Sequence, residues 1–289
     1  MSEERMNLLL ALADDELIIG HRMSEWTGWV PYVEEDLAFS SIAQDEMAHA
    51  RLLYEIVSAT GVDTLALGRQ PHEYRNAVIC ERPNRDYAYT LARHFLYDTA
   101  DAVRVEALRA SSWKELAEAF DVVTLEERYH LEHARTWFRR IANGPVEARA
   151  KLTTALQDVI GEALSLFEPI PGEDALLADG TMPRASSEML AAWLTQVGRE
   201  LEEVGLERVL ELAPEARIGE MVPTSSGAIE AEGSSPTLRV PGLQRVDGQW
   251  VHVGEFEGAG GRSGRHSPDF AALWDEMTGL YRAHPGATW

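Results

Sequence analysis

The chain has 289 residues, of which 45% are hydrophobic and 26% are charged, so it is long enough to bury a substantial core. Its 48 acidic and 26 basic residues give a formal net charge of −22, which disfavours binding to nucleic acids and to anionic membranes because like charges repel. Cys80 is the sole cysteine, and this excludes an intrachain disulfide and a metal cluster held by several thiolates.

The N-terminal residues lack the basic and then apolar pattern of a signal peptide. No apolar run in the sequence approaches the roughly 20 residues that a membrane span requires. The sequence therefore predicts a cytoplasmic protein with no membrane partner.

Apolar residues recur at helical intervals along the first half of the chain and predict four long helices. The helices are expected at about residues 3–26, 31–60, 86–110 and 113–142. Two additional helices are predicted at about 146–167 and 187–212, so the expected helical part of the chain is residues 1–212. This pattern predicts an all-α protein built on a four-helix bundle.

Residues 213–289 have a different composition, with many Gly, Ser and Pro residues, and predict a loop-rich tail. Within it, residues 238–240 and 249–253 could pair as a short hairpin, and residues 268–282 predict a terminal helix. Such a long irregular segment is expected to cover the bundle or to pack on a partner.

Two Glu-x-x-His motifs carry the chemistry that the sequence suggests. Glu46 and His49 lie in the second predicted helix, and Glu127 and His130 lie in the fourth. Residues three apart project from one face of a helix, so each motif presents a carboxylate and an imidazole together. One such pair is a weak signal, but two pairs on separate helices are typical of a bundle that holds two metal ions.

Two acids on the preceding helices complete the pattern. Glu16 lies 30 residues before Glu46, and Asp98 lies 29 residues before Glu127, so the set is repeated as two helical hairpins. Asp101 is one turn from Asp98 and is the alternative inward acid, although the spacing favours Asp98. Of Asp14, Asp15 and Glu16, at least two are expected to be solvated.

Carboxylates and imidazoles are the ligands of non-haem iron and manganese, so the predicted cofactor is two iron or manganese ions. The metal ligands would be Glu16, Glu46, His49, Asp98, Glu127 and His130. The alternative is an ion-pair network without metal, because buried acids need compensation from some cation. The arginines that could supply it are Arg51, Arg104 and Arg128. Four other histidines are expected to be surface or packing residues and not metal ligands: His21, His72, His94 and His252.

Several segments resemble one family, the C-type subunits of phenylacetyl-CoA epoxidase. They are residues 17–26, Tyr97 with Asp98, and residues 127–130 in the helical part, and residues 261–266, 273–277 and 284–289 in the tail. The similarity extends over essentially the whole chain, and the tail makes it specific to this branch of the ferritin-like proteins.

The resemblance implies a ferritin-like bundle and a place in a multicomponent oxygenase of aerobic phenylacetate degradation. In that enzyme the catalytic, A-type subunit carries the di-iron centre and binds phenylacetyl-CoA, and the C-type subunit is its structural partner. A reductase with flavin and an iron–sulfur centre brings electrons from NADPH, and the product is the ring 1,2-epoxide of the thioester. The resemblance thus implies a hetero-oligomer with the A-type subunit, the other components of the complex and the reductase as partners.

The sequence departs from that family at three positions. C-type subunits typically have residues that cannot ligate a metal where Glu16, Glu46 and His49 stand here. Two hypotheses follow: a non-catalytic assembly subunit, which the resemblance favours, and a di-iron oxygenase subunit that is itself catalytic. A ferritin-like iron-oxidising protein is a weaker third hypothesis, because the loop-rich tail argues against it.

Overall fold

The computed structural model describes residues 1–212, 243–247, 249–252, 258–285 and 287. These residues form eleven α-helices and one two-stranded antiparallel sheet, with short 3-10 turns between some of them. In chain order the elements are α1 (Glu3–Ser24), α2 (Val33–Val57), α3 (Val62–Leu67), α4 (Val78–Glu81), α5 (Tyr87–Leu108), α6 (Lys114–Ala142), α7 (Val146–Ala163), α8 (Glu173–Ala178), α9 (Ser186–Glu203), α10 (Arg208–Leu212), β1 (Leu243–Val246), β2 (Gln249–His252) and α11 (Phe270–Ala283).

The four predicted bundle helices are confirmed as α1, α2, α5 and α6, with ends that differ from the prediction by three residues at most. Local capping accounts for some of these ends. The Ser2 hydroxyl accepts a hydrogen bond from the backbone N–H of Arg5 at the start of α1. Asp86 accepts one from the backbone N–H of Tyr89 at the start of α5. Each cap satisfies an amide group that has no partner inside its helix.

Two details of the prediction are wrong. The helix expected over residues 187–212 is two helices, α9 and α10, because Gly205 adopts a left-handed conformation with φ of 68°. The N–H of Leu206 then bonds the carbonyl of Leu201, which closes the end of α9. In the tail, β2 pairs with β1 at residues 243–246; the predicted strand at 238–240 lies outside the described residues.

Helices α1 and α5 lie at the centre of the molecule. Helix α1 packs along α2, and α5 packs against α6, α7 and α9, so α5 is covered on several sides. At one of these contacts Trp193 of α9 donates its indole N–H to the Thr99 hydroxyl at 2.9 Å. Helix α6 has an exposed outer face. Helix α5 buries nearly all of its polar residues, and α1 buries the acids 14–16 and Arg22.

The described part of the tail that follows the hairpin lies on the bundle. The carboxylate of Glu168 accepts hydrogen bonds from the N–H groups of Ala259 and Gly260 at 3.0 and 2.9 Å. Glu81 accepts two more from the backbone and hydroxyl of Ser267 at 2.8 and 2.7 Å. This segment therefore covers the bundle, which is one of the two arrangements that its length predicts.

Across the described residues, the helices are either too short or too polar to cross a lipid bilayer.

Candidate metal centre

Five side chains from three helices meet inside the bundle, and we call them the carboxylate–histidine cluster. Glu16 comes from α1, Glu46 and His49 come from α2, and Glu127 and His130 come from α6; all five are buried. Their meeting depends on close packing of α1 and α2 at Gly20. A Cβ atom at that position would lie 3.0 Å from the Glu46 Cβ and 3.1 Å from a backbone oxygen of α2. Glycine therefore permits the approach that brings Glu46 to the centre.

The geometry of the cluster fits a metal ion. One ligand atom from each of Glu16, Glu46, His49 and Glu127 lies within 4.8 Å of all the others. The Nδ1 atom of His49 is 2.9 Å from Glu127 and 3.9 Å from Glu16. The Nδ1 atom of His130 is 3.4 Å from Glu46 and 3.7 Å from Glu127. Both imidazoles thus present the same nitrogen to the carboxylates at the centre.

Sequence reasoning missed two further acids that orient these imidazoles. His49 Nε2 lies 2.8 Å from the carboxylate of Glu126, and His130 Nε2 lies 3.3 Å from that of Asp45. Metal-binding histidines commonly donate their second ring N–H to a carboxylate, which fixes the tautomer and the ring orientation. Each of these acids immediately precedes a Glu-x-x-His motif, so the sequence signal was present as Asp-Glu and Glu-Glu pairs.

Several central atoms have no hydrogen-bond partner among the described residues. They are both carboxylate oxygens of Glu46, one oxygen each of Glu16 and Asp101, and the Nδ1 atoms of His49 and His130. The two Nδ1 atoms lie close to carboxylates but lack the geometry of a hydrogen bond. Buried polar atoms are nearly always paired in proteins, and unpaired charged ones are especially unfavourable. Bound metal would pair buried atoms of this kind, so the donor set fits a metal.

The cluster buries three carboxylates with two imidazoles, and their mutual effects shift the pKa values of these groups. Burial raises the pKa of Glu46 to about 7, and burial together with Glu46 and Glu127 raises the pKa of Glu16. Burial alone would lower the pKa of His49, but the adjacent Glu127 and Glu16 outweigh it and raise that pKa to about 9. Burial likewise opposes the effect of the two histidines on Glu127, whose pKa they lower below its ordinary range. Protons and a metal ion would therefore compete for the same atoms.

The two candidate acids of α5 are not equally placed. Asp98 is buried against His94, with 3.0 Å between its Oδ2 and the Nδ1 of that residue. Asp101 lines a small cavity together with Glu16, His49 and Glu127, and its carboxylate accepts hydrogen bonds from Arg104 at 2.6 and 3.0 Å. Asp101, and not Asp98, therefore lies at the edge of the cluster. This does not support the preference for Asp98 as the inward acid, which rested on sequence spacing.

A second buried group, which we call the arginine network, lies next to the cluster and consists of Asp15, Asp101, Arg104 and Arg262. Arg104 joins Asp101 to Asp15, which it contacts at 2.6 Å. Arg262 of the tail is buried and donates two hydrogen bonds of 2.8 Å to Asp15. Sequence reasoning anticipated Arg104 as a countercharge and missed Arg262, which lies 247 residues from its partner.

The other two arginines proposed as countercharges lie elsewhere. Arg51 is exposed and pairs with Glu55 one turn along α2, and Arg128 is exposed on α6. The expectation that at least two of Asp14, Asp15 and Glu16 are solvated is wrong, since all three are buried. Asp14 is paired with Arg69, Asp15 belongs to the arginine network, and Glu16 belongs to the cluster.

Comparison with known proteins shows that the chain matches one protein family. The family model described as phenylacetic acid catabolic protein matches residues 1–215, which contain the whole bundle and the cluster. The chain belongs to this family. Members of the family share the all-α, ferritin-like fold that the sequence predicts for this chain.

Within the family, the chain is similar to the C subunit of 1,2-phenylacetyl-CoA epoxidase from Escherichia coli (strain K12). The two are 27% identical over 286 residues, and the alignment covers 97% of each chain. The resemblance to C-type subunits drawn from sequence segments is thus confirmed, and it extends into the tail.

Proposed function

We propose that this chain is the C-type component of a phenylacetyl-CoA epoxidase and serves mainly as the structural partner of the catalytic subunit. The observation that carries the proposal is the match to the Escherichia coli C subunit along 97% of both chains, including the tail that packs on the bundle. The partners would be the catalytic A-type subunit, the other components of the complex and the reductase. The complex would be cytoplasmic, where NADPH is available to the reductase.

The space beside the cluster supports a structural role. The cavity lined by Glu16, His49, Asp101 and Glu127 has a volume of about 10 Å³. Sites for organic ligands usually measure about 300–1,000 Å³, whereas about 10–15 Å³ is the minimum for one water molecule. The cavity can hold an ion or a water but not the phenylacetyl group of a thioester. We infer that the epoxidised ring binds on another subunit.

An exposed apolar stripe on α6 is the surface that we assign to the catalytic subunit. Val122, Leu125 and Tyr129 lie on the outer face of the helix and are 68%, 74% and 50% exposed. Their spacing of three and four residues places them in one row. Exposed apolar rows of this kind commonly mark protein interfaces. The same helix carries Glu127 and His130 inside, so the partner would lie one helix diameter from the cluster.

The alternative function is a di-iron oxygenase subunit that is itself catalytic. The observation in its favour is the buried donor set with unpaired atoms, which fits iron or manganese. Iron held by carboxylates and imidazoles with an open position can react with dioxygen. In that case Glu16, Glu46, His49, Glu127 and His130 would hold the ions, and Glu126 and Asp45 would orient the two imidazoles.

Co-expression with a tagged catalytic subunit of the epoxidase tests the proposed role. The untagged chain should co-purify with that partner, and Leu125→Asp should abolish co-purification because it places a charge in the apolar stripe. The matched control is Leu280→Asp, since Leu280 is also exposed, at 61%, but lies on α11. Equal co-purification of both variants would contradict the assigned surface, and failure of the parent chain to bind would contradict the partner role.

Reconstituted turnover separates the two functions. With reductase, NADPH and phenylacetyl-CoA, complexes containing Glu46→Ala/His49→Ala should epoxidise substrate as fast as those containing the parent chain. The chain without its catalytic partner should form no epoxide at any iron loading. Turnover by the isolated chain, lost in the double variant, would favour the catalytic alternative.

A further inference from the structure

We infer that the carboxylate–histidine cluster is a centre for one metal ion rather than two. The inference rests on the proposed ability of the cluster to bind a metal and concerns how many ions it takes. The two helical hairpins, α1 with α2 and α5 with α6, carry equivalent sequence motifs. The second hairpin, however, keeps its terminal carboxylate away from the cluster.

The first ion position has a full set of protein ligands. Glu16 supplies a terminal carboxylate, His49 supplies an imidazole, and Glu46 and Glu127 lie between the hairpins where either can bridge. All four ligand atoms are mutually within 4.8 Å, and the side chains are buried in the bundle. Three carboxylates and one imidazole suit a divalent iron or manganese ion.

The second position has only three ligands. Its imidazole is His130, whose Nδ1 atom faces Glu46 at 3.4 Å and Glu127 at 3.7 Å. Among the described residues, the one other carboxylate within 4.0 Å of His130 is that of Asp45. Asp45 approaches the opposite ring nitrogen and therefore orients the imidazole instead of joining the centre. Both shared carboxylates already belong to the first position.

A buried row of side chains holds Asp98 away from this position. Asp98 pairs with His94 at 3.0 Å, and His94 Nε2 lies 3.1 Å from His133 Nδ1. His133 Nε2 in turn lies 2.5 Å from Glu35. The four side chains come from α2, α5 and α6, and each is at least nine-tenths buried. His94 is thus fixed from behind by a second imidazole and a carboxylate, and it contacts Asp98 as a close ion pair that lacks hydrogen-bond geometry.

Asp101, the other acid of α5, is also engaged. Arg104 contacts it at 2.6 Å, and the same guanidinium contacts Asp15 at 2.6 Å. Arg104 bonds only the Oδ1 atom of Asp101, and its Oδ2 has no hydrogen-bond partner among the described residues. Asp101 lines the cavity with Glu16, His49 and Glu127, which is the side of the first position. Asp98 is thus held by His94 and Asp101 lies beside the first position, so neither acid of α5 is placed as the fourth ligand of a second ion.

Titration of the metal-free chain with Mn(II) tests the inference, with the signal of free Mn(II) followed by electron paramagnetic resonance. We expect one equivalent to bind per parent chain, with the spectrum of an isolated ion and without the coupling that a pair of ions gives. Two equivalents in the parent would overturn the inference. So would no binding by a chain that circular dichroism shows to be folded.

Two conservative variants form the matched comparison, because Glu16 and Asp98 hold equivalent places in the repeated hairpins. Glu16→Gln removes a terminal ligand and should weaken Mn(II) binding by more than about 100-fold, beyond the usual effect of losing an outer-shell partner. Asp98→Asn should leave both the dissociation constant and the stoichiometry unchanged. Equal weakening by the two variants would show that Asp98 is a ligand and would overturn the inference.

His94→Phe provides a test in the opposite direction. Phenylalanine has nearly the shape of histidine and cannot pair with Asp98, so the freed carboxylate should allow a second Mn(II) to bind. A folded His94→Phe chain that still binds one equivalent would contradict the assigned role of His94. Co-purification with the catalytic partner is measured on the same samples, so that a failed partner role is distinguished from a failed metal stoichiometry.

Discussion

Asp15 and Glu16 are adjacent in α1 and both buried, yet their surroundings compensate them in opposite ways. Burial alone would raise the pKa of Asp15, but Arg262 and Arg104 outweigh it and lower that pKa. Burial raises the pKa of Glu16, and the nearby Glu46 and Glu127 raise it further. The arginine network contains its own countercharges, whereas the carboxylate–histidine cluster has two imidazoles for three carboxylates.

This difference bears on the two interpretations of the sequence, a metal centre or an ion-pair network. The ion-pair interpretation describes the arginine network, whereas the metal-centre interpretation stays a prediction for the carboxylate–histidine cluster. Arginines already balance Asp15 and Asp101, so these acids need no metal. Neither oxygen of Glu46 has a hydrogen-bond partner among the described residues, and it is the acid for which a cation would matter most. A buried acid therefore indicates a metal site only where no nearby cation already balances its charge.

The largest effect is expected from removing the tail arginine of the network. Arg262→Met would leave Asp15 buried with one arginine instead of two and should lower the free energy of unfolding by about 3–5 kcal/mol. Urea denaturation followed by circular dichroism measures this change. Arg265→Met is the control, because Arg265 lies three residues away and is exposed. If the two variants lost equal stability, Asp15 would not depend on the tail.

A smaller effect is expected from pH in the metal-free chain. The pKa of Glu46 is raised to about 7 and that of His49 to about 9, so each group stabilises the fold in its protonated form. That stability is complete below the unfolded pKa values of about 4.5 and 6.5 and is lost as pH rises through 7 and 9. The midpoint of thermal unfolding should therefore fall between pH 5 and pH 9.

Two controls sharpen the pH experiment. Glu46→Gln/His49→Gln should flatten the dependence, because neither replacement titrates in this range. Mn(II) at 100 times its dissociation constant should add about 2.7 kcal/mol to the parent and little to the double variant. A parent chain whose stability rises from pH 5 to pH 9 would show that other groups dominate.

The smallest effect is expected from an exposed ion pair, which contrasts with the buried pairs of the network. Arg51 pairs with Glu55 one turn along α2, and both side chains are largely exposed. Solvent screens such pairs, so Arg51→Ala should change the free energy of unfolding by no more than about 0.5 kcal/mol. A loss near that of Arg262→Met in the same urea assay would mean that burial does not distinguish the two classes of pair.

The bundle helices were predictable because each has an uninterrupted run of apolar residues at helical spacing between Gly- or Pro-containing breaks. The end of α9 was not, because Gly205 looks from the sequence like one tolerated glycine inside a helical pattern. Its left-handed conformation depends on the Leu206 N–H reaching the Leu201 carbonyl. The second strand of the hairpin was predicted correctly, because Asp-Gly at positions 247 and 248 is a turn signal in the sequence.

Within the candidate centre, spacing along single helices predicted which residues share a helix face. Glu46 with His49, and Glu127 with His130, lie together because residues three apart share a helix face. Spacing places His94 and Asp98 on one face of α5, but it could not show that His133 and Glu35 from other helices hold His94 there. Their roles as metal ligands remain predictions that the titration tests.

The sequence by itself determined the all-α bundle, the two Glu-x-x-His motifs and the likeness to C-type epoxidase subunits, since these depend on local periodicity and residue order. Only the tertiary structure decided which buried acids are balanced, because charge compensation acts through space. Arg262 reaches Asp15 from 247 residues away in the chain. His94 holds Asp98 because other helices hold His94. Helical spacing fixes the face on which an acid lies, and the neighbouring helices fix its partner.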